Sequence, residues 1–250
     1  MQIINPATGE IIKEIKEGNR ENIEQKFSVL KTFQPEWQKV SLIERIAIVK
    51  KFSGLLEQDI EELAPILTSE VGKPLQQSRN EAKGAMGRIN WLAVNAEKYL
   101  SDELMTTETG LEEKISYEPL GVICNISAWN YPYLVGVNVF VPALLAGNTV
   151  MYKPSEYATL TGLEIEKLLK KAGIPDAAFQ VAIGGKATGE LLIELPFDGY
   201  FFLIYRNKSL FWPAYQYDNA IPRPPLFQPT IQEICLILLM PEQSVYQCFF

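Results

Sequence analysis

The sequence predicts an α/β fold in which a parallel sheet covered by helices follows a block of packing helices. Three observations carry that reading. From Lys114 onward, short apolar runs alternate with longer helical segments in the order βαβαβαβ. The four strand candidates, residues 120–127, 149–153, 179–183 and 199–202, lack polar alternation, as strands buried on both faces do. Ahead of them, apolar residues recur at helical spacing through to Leu100.

The chain opens with Asn5-Pro6-Ala7-Thr8-Gly9-Glu10 between Ile3-Ile4 and Ile11-Ile12. Proline presets φ and glycine supplies the permissive position, which predicts a small hairpin. Ile23, Phe27 and Leu30 then follow helical spacing, and Ser41 with Glu44 forms a capping-box signature ahead of Ile46, Val49, Phe52, Leu56 and Leu63. A further helix over 76–100 carries Met86, Ile89, Leu92 and Tyr99 as its apolar residues. Between the strand candidates, 134–145, 160–172 and 187–194 read as helices.

Composition narrows the function classes. With 250 residues, 47% apolar and 21% charged, the chain is an ordinary globular protein. Its net charge of −7 comes without a Lys/Arg stripe to neutralise phosphates, which argues against a nucleic-acid partner. The densest basic run, 167–171, reads as a solvated helix face. No basic segment followed by an apolar core opens the chain, so no secretory signal is expected. The apolar run 234–240 is too short to cross a bilayer, and the protein reads as cytoplasmic with no membrane partner. There is no histidine, and the three cysteines, Cys124, Cys235 and Cys248, have no metal-ligand spacing, so neither a metal site nor histidine catalysis is expected. Cys124, in Val122-Ile123-Cys124-Asn125-Ile126, reads as a buried structural thiol.

Ligands of parallel sheets bind beyond the carboxyl ends of the strands. The candidate ligand-facing loops are therefore 127–132, 153–156, 184–189 and the segment after Phe202. Gly, Pro, Ser and Asn are what any βα connection would use, and Gly184-Gly185-Lys186-Ala187-Thr188-Gly189 does not match the usual dinucleotide fingerprint. Four such loops at one sheet edge point to an α/β nucleotide-binding domain.

Trp129-Asn130-Tyr131-Pro132, Pro142-Ala143-Leu144 with Ala146-Gly147-Asn148, and Lys153-Pro154-Ser155-Glu156 resemble the aldehyde dehydrogenase family. With the opening Asn5-Pro6-Ala7-Thr8-Gly9 and Gly72-Lys73-Pro74, the resemblance covers residues 2–202. It implies a Rossmann-like sheet that ends short of the family's catalytic domain. It also implies oxidation of an aldehyde to a carboxylate with hydride transfer to NAD(P), through a cysteine thiolate and a water-activating glutamate.

By the same resemblance, Asn130 donates its side-chain amide to the reaction's oxyanion, although as a plain residue it would simply cap a turn. Lys153 and Glu156, flanking Ser155, match the pair that contacts the adenosine ribose hydroxyls; a carboxylate there repels a 2′-phosphate and favours NAD over NADP. Ile126, Ser127, Ala128 and Trp129 would line the cofactor cleft, where many members carry a proline before the tryptophan. Gly184, Gly185 and Gly189 would let the backbone and the next helix approach the adenine and phosphates. Phe202 completes the cofactor-binding set, at the point where the family continues into a Thr-Gly-Ser turn. Relatives pair through a hairpin that includes the strand around 114–117, so a homo-oligomer is implied for an intact member.

After Phe202 the text changes. Sixteen glycines fall within residues 1–202 and none within 203–250, where Phe211-Trp212-Pro213, Pro222, Pro224-Pro225 and Pro229 crowd together without a sustained period. The expectation is two regions: a helical segment plus NAD(P)-binding domain over 1–202, and an aberrant tail over 203–250 produced by a reading-frame shift. Cys235, within Ile231-Gln232-Glu233-Ile234-Cys235-Leu236, lacks the glycine context of the family's nucleophile. The chain is thus expected to be a truncated, inactive family member. The alternatives are a non-catalytic NAD-binding or oligomer-modulating module and, less supported by the motif, an oxidoreductase using Cys235.

Overall fold

A computed structural model describes residues 1–108, 111–205 and 234–239. Cys248 and the proline-rich stretch from Phe211 to Pro229 lie outside the described residues. The opening segment forms the expected hairpin, with β1 (Gln2–Ile4) antiparallel to β2 (Ile11–Glu14). Its turn is held by Asn5, whose side-chain oxygen accepts from the Ala7 amide at 2.9 Å, and by Gly9 at φ 75°.

Helix α1 (Arg20–Lys39) is capped by Asn19, which accepts from the Asn22 amide at 2.9 Å, and buries Ile23, Leu30 and Trp37. Helix α2 (Leu42–Gln58) starts at the Ser41–Glu44 capping box. The apolar period that runs on to Leu63 does not make one helix: the chain breaks at Asp59 (φ −97°, ψ 9°) and restarts as α3 (Ile60–Val71). Both pieces present their apolar faces to the same cluster, which contains Leu56 and Leu63 alike, so the periodicity carries across the break. Gly72, at φ 77°, ends α3 where an added Cβ would come within 2.8 Å of the Pro6 ring.

Helix α4 (Leu75–Leu100) occupies the expected stretch but buries a narrower seam of Ser78, Ala82, Ala85, Ile89, Ala93 and Ala96. Met86 and Leu92 sit partly buried at its margin and Tyr99 is exposed. Small side chains let α4 lie close to its neighbours, a purpose a search for large apolar residues overlooks. Strands β3 (Glu103–Glu108) and β4 (Leu111–Ile115) follow as an antiparallel hairpin, slightly N-terminal to the strand expected around 114–117.

The α/β layer is built from β5 (Val122–Ile126), α5 (Pro132–Leu145), β6 (Thr149–Lys153), α6 (Thr159–Ala172), β7 (Phe179–Val181), α7 (Lys186–Glu194) and β8 (Gly199–Tyr205). The spatial order is β7-β6-β5-β8, with every neighbour in that run parallel. Strands β5 and β7 are shorter than expected: β5 begins two residues later and ends one earlier, and β7 ends two residues earlier. Strand β8 is longer, reaching Tyr205, so Phe202 lies inside a strand and opposite Ile126 rather than at a strand's end. Within the tail, β9 (Ile234–Leu239) pairs antiparallel with β8, from Tyr200↔Leu239 to Tyr205↔Ile234. The stretch 231–240 is charge-poor and β-prone in sequence, and the ladder it joins is made by backbone groups rather than by a side-chain period.

The sheet separates two cores. Residues from α2 to α6 pack on one face with Ile123, Val150 and Tyr152. Cys124, Val122 and Met151 pack on the other with Ile23 and Leu30 of α1 and Leu192 of α7. Cys124 is fully buried, as expected, and burial pushes its thiol pKa up, the behaviour of a packed hydrophobe. The basic run on α6 is ion-paired and exposed: Lys167 with Glu164 at 2.8 Å, Lys170 with Asp176 at 3.2 Å and Lys171 with Asp59 at 3.4 Å.

Two buried glutamates join the helical block to the sheet layer. Glu70, on α3, accepts from the amides of Leu160 and Thr161 and from the Thr161 hydroxyl, the last two at 2.9 Å, and so caps α6. Glu81, on α4, accepts from the Tyr133 amide at 2.8 Å in the first turn of α5 and pairs with Lys73. Burial raises both carboxyl pKa values, opposed in each case by those hydrogen bonds and, for Glu81, first by the charge of Lys73. Replacing Glu70 by Ala strands buried donors at the start of α6; the expected loss is about 2–4 kcal/mol of folding stability, read by denaturant unfolding. An unchanged midpoint would show that α6 does not depend on this cap.

Candidate functional site

The carboxyl ends of β5, β6 and β7 converge on one side of the sheet, beside the point between β5 and β8 where strand order reverses. All three are tied together: the Ser127 amide after β5 donates to the Lys153 carbonyl of β6 at 2.9 Å, and the Ala182 amide after β7 donates to the Tyr152 carbonyl of β6 at 2.9 Å. The first of these bonds brings loops 127–132 and 153–156 side by side. Ile126 and Ala128 are partly buried, Ser127 is buried, and Trp129 is 42% exposed at the edge of the site.

Asn130 is half-buried on the same loop. Its carbonyl accepts from Lys73 Nζ at 2.6 Å, and Lys73 also lies 4.3 Å from the ring centroid of Tyr131. Among the described residues its side-chain amide makes no hydrogen bond, so it does not serve as a turn cap. The Lys73–Glu81 pair beneath it joins Asn130 to the first turn of α5. Gly72-Lys73-Pro74 is visible in the sequence, but nothing local links Lys73 to Glu81 or either one to Asn130.

Lys153 is 4% exposed, with Nζ 3.3 Å from the Pro154 carbonyl and 3.9 Å from the partly exposed Glu156 carboxylate. Desolvation lowers its pKa, with Glu156 opposing. Ser155 has a structural task as well as a place in the site, since its hydroxyl accepts from the Tyr157 amide at 3.3 Å and caps a short 3-10 turn over Glu156–Ala158. Pro154 is clamped against Gly162, where an added Cβ would come within 2.6 Å.

The three glycines of the third loop do different things. Gly184, at φ 150°, is required by the chain itself, because a Cβ there would collide with the Thr188 hydroxyl. Gly185 has open space where its Cβ would be, and Gly189 has only the Lys153 Cε, 3.9 Å away. The chain thus leaves a cradle at the start of α7 that a side chain would fill, next to the Lys153–Glu156 pair, which fits the adenosine end of a dinucleotide. Glu17, which sequence reasoning did not single out, reaches this place too: its Oε2 lies 3.4 Å from the Gly185 amide and its Oε1 lies 3.6 Å from the amino group of Met1. Phe202 is partly buried on β8, level with Ile126 and across the strand-order reversal from the other site residues.

A family model, the Aldehyde dehydrogenase family, matches residues 1–197. The chain belongs to this family of proteins. It is 32% identical over 197 residues to a 3,6-anhydro-alpha-L-galactose dehydrogenase from Streptomyces coelicolor, a match covering 78% of this chain and 40% of the relative. Among solved structures, PnpE in complex with nicotinamide adenine dinucleotide is 26% identical with a TM-score of 0.73, over 78% of this chain and 40% of that one. Glyceraldehyde-3-phosphate dehydrogenase GapN from Methanocaldococcus jannaschii, complexed with NADP, is 26% identical with a TM-score of 0.71, over 77% and 43%. The chain spans about two-fifths of the length of the curated relative it matches. Among the described residues no helix is long and apolar enough to cross a membrane.

The lowered pKa of Lys153 means that folding favours its neutral form. The stability that form contributes is present above the ordinary lysine range and is lost as pH falls through the folded-state value. Near pH 7 the buried ammonium therefore costs stability. Lys153→Met is expected to stabilise the fold at pH 7 by about 1 kcal/mol and to flatten the rise in stability toward alkaline pH, both measurable by chemical denaturation across pH.

Proposed function

We propose that residues 1–202 are the helical segment and NAD(P)-binding domain of an aldehyde dehydrogenase, and that this chain holds cofactor without oxidising aldehydes. The observation that carries the reading is the cluster at the sheet's carboxyl edge: Lys153 and Glu156, bonded through the Lys153 carbonyl to the Ser127 amide, beside the open space at Gly185. The Lys153 ammonium and Glu156 carboxylate would hold the adenosine ribose, Ser155 would keep their turn in shape, and Gly184, Gly185 and Gly189 would admit the adenine and phosphates. Ile126, Ser127, Ala128, Trp129 and Phe202 would line the cleft. Glu156 supports NAD over NADP, since a second negative charge within a few ångströms costs about 1 kcal/mol or more at a surface.

Bound NAD(P) would supply a hydride acceptor. The chain's own contribution to the reaction is the amide of Asn130, held in place through its carbonyl by Lys73 and free to donate to an oxyanion. Among the described residues no cysteine is placed beside it as a nucleophile. Cys124 is buried on the opposite face of β5 from the large core, with its thiol held protonated. Cys235 stands on β9 opposite Ile204 and lacks the family's motif. Residues 203–250 depart from the family text right after Phe202, which supports a reading-frame shift as their origin and an aldehyde oxidation that cannot proceed. A cytoplasmic location and the absence of a nucleic-acid partner complete the reading; pairing through the β3–β4 hairpin belongs to intact members, because the surface that would receive it lies in the half this chain does not match.

A second reading is a non-catalytic NAD-binding or oligomer-modulating module, favoured by the intact edge around Lys153. Calorimetric titration of the full chain tests both. NAD is expected to bind, and Glu156→Gln to reduce its preference over NADP by about tenfold; no binding of either dinucleotide ends both readings. Incubation with NAD and a simple aldehyde is expected to give no NADH, and turnover abolished by Cys235→Ala would overturn the inactive assignment. Shifting the coding DNA by one nucleotide after codon 202 is expected to uncover a Thr-Gly-Ser turn, and unrelated text there would remove the frame-shift explanation.

A further inference from the structure

Beneath the loop that carries Ser127 lies a group of buried polar atoms without partners. Among the described residues, both amide atoms of Asn125, the Ser127 hydroxyl and the phenols of Tyr133 and Tyr152 are buried and unbonded. Asn125, Tyr133 and Tyr152 are wholly inaccessible. They are neighbours in the fold. Asn125 on β5 is the register partner of Tyr152 on β6, and two residues earlier Ile123 and Val150 face the large core, so both side chains point toward α5. The Tyr152 phenol lies 3.3 Å from where a Gly136 Cβ would be, and Gly136 stands one turn after Tyr133 on α5. Ser127 acts on Tyr152 as a hydrogen-bonding neighbour that opposes the rise in its phenol pKa caused by burial, so these two hydroxyls approach one another without meeting in a well-formed bond, and Tyr133 feels the Tyr152 phenol.

An unpaired buried polar atom costs about 1–3 kcal/mol, and native proteins meet that cost with internal water. We propose that Asn125, Ser127, Tyr133 and Tyr152 form an internal hydration site, in which about two ordered waters, each making roughly three hydrogen bonds, bridge β5 and β6 to the first turns of α5. The chemistry of the group selects water. Its hydroxyls and amide offer donors and acceptors together, whereas a cation needs acceptors only and cannot use the Asn125 NH2. The nearby carboxylates are already committed, Glu70 to Leu160 and Thr161, and Glu81 to Lys73 and Tyr133. Arg45 Nε, the remaining orphan, belongs to α2, where its guanidinium donates to the Trp37 and Gln38 carbonyls, and is separate.

The sign of a stability change tests this. If water is present, Tyr152→Phe removes one of its partners and lowers the folding equilibrium constant of the full chain about three- to tenfold. Tyr133→Phe is expected to do likewise, and the double variant to lose less than the product of the two, because they share the same water. In a dry site each substitution removes an unpaired hydroxyl, so an unchanged or increased constant overturns the proposal. Should the variants not fold, the parent chain decides the matter: a nuclear Overhauser contact between a long-lived water and the Asn125 side-chain NH2 supports the site, and its absence overturns it.

Discussion

The arrangement rests on two carboxylates taken out of water. Glu70 and Glu81 reach from α3 and α4 to the first turns of α6 and α5, where unpaired amides and the positive end of the helix dipole receive them. A buried carboxylate is costly unless it is hydrogen-bonded, and a buried helix start is costly unless it is capped; each remedies the other. The contact works only if the helical block and the sheet layer hold one relative placement. Apolar packing of α4 on α5 through alanines gives closeness, and the two caps give position.

That docking shapes the site as well. The first turn of α5 is occupied by Glu81, and that of α6 by Glu70, so neither helix start is free to take a phosphate. Open space remains where a Gly185 Cβ would stand, while the Gly185 amide itself lies 3.4 Å from Glu17 Oε2. Lys73 transmits the same docking to Asn130: its ammonium, balanced by Glu81, accepts no bond itself and donates to the Asn130 carbonyl, which leaves the asparagine side chain unencumbered. A motif lysine far from the sheet in sequence thus sets the loop on which an oxyanion donor would stand.

The chain carries the family's text over only part of its length. The family match ends at residue 197, and β8 runs on to Tyr205, pairing parallel with β5 from Gly199 to Phe202. The next strand joined to it, β9, is antiparallel. Antiparallel addition needs only a free edge and an extended segment, without the helical crossover that a further parallel strand would require.

The sequence by itself determined the order and type of nearly every element over 1–202, because capping residues, turn residues and apolar periods are local. Ser41 with Glu44, Asn5 with Gly9, and the unbroken apolar runs of β5 and β6 each act within a few residues. It also determined which residues stand at the sheet's carboxyl edge, since strand direction in a βαβ chain follows from topology. The tertiary structure decided what locality cannot express: that the helical period breaks at Asp59, that Tyr99 turns outward, and that Phe202 lies within a strand. It alone brought Glu70 to Thr161, Glu81 to Lys73 and Tyr133, and Glu17 to Gly185, across separations of 91, 8, 52 and 168 residues. Such contacts depend on where whole layers settle, and the energy that selects them is the shared cost of burying a charge and a helix end, which no single stretch of sequence carries.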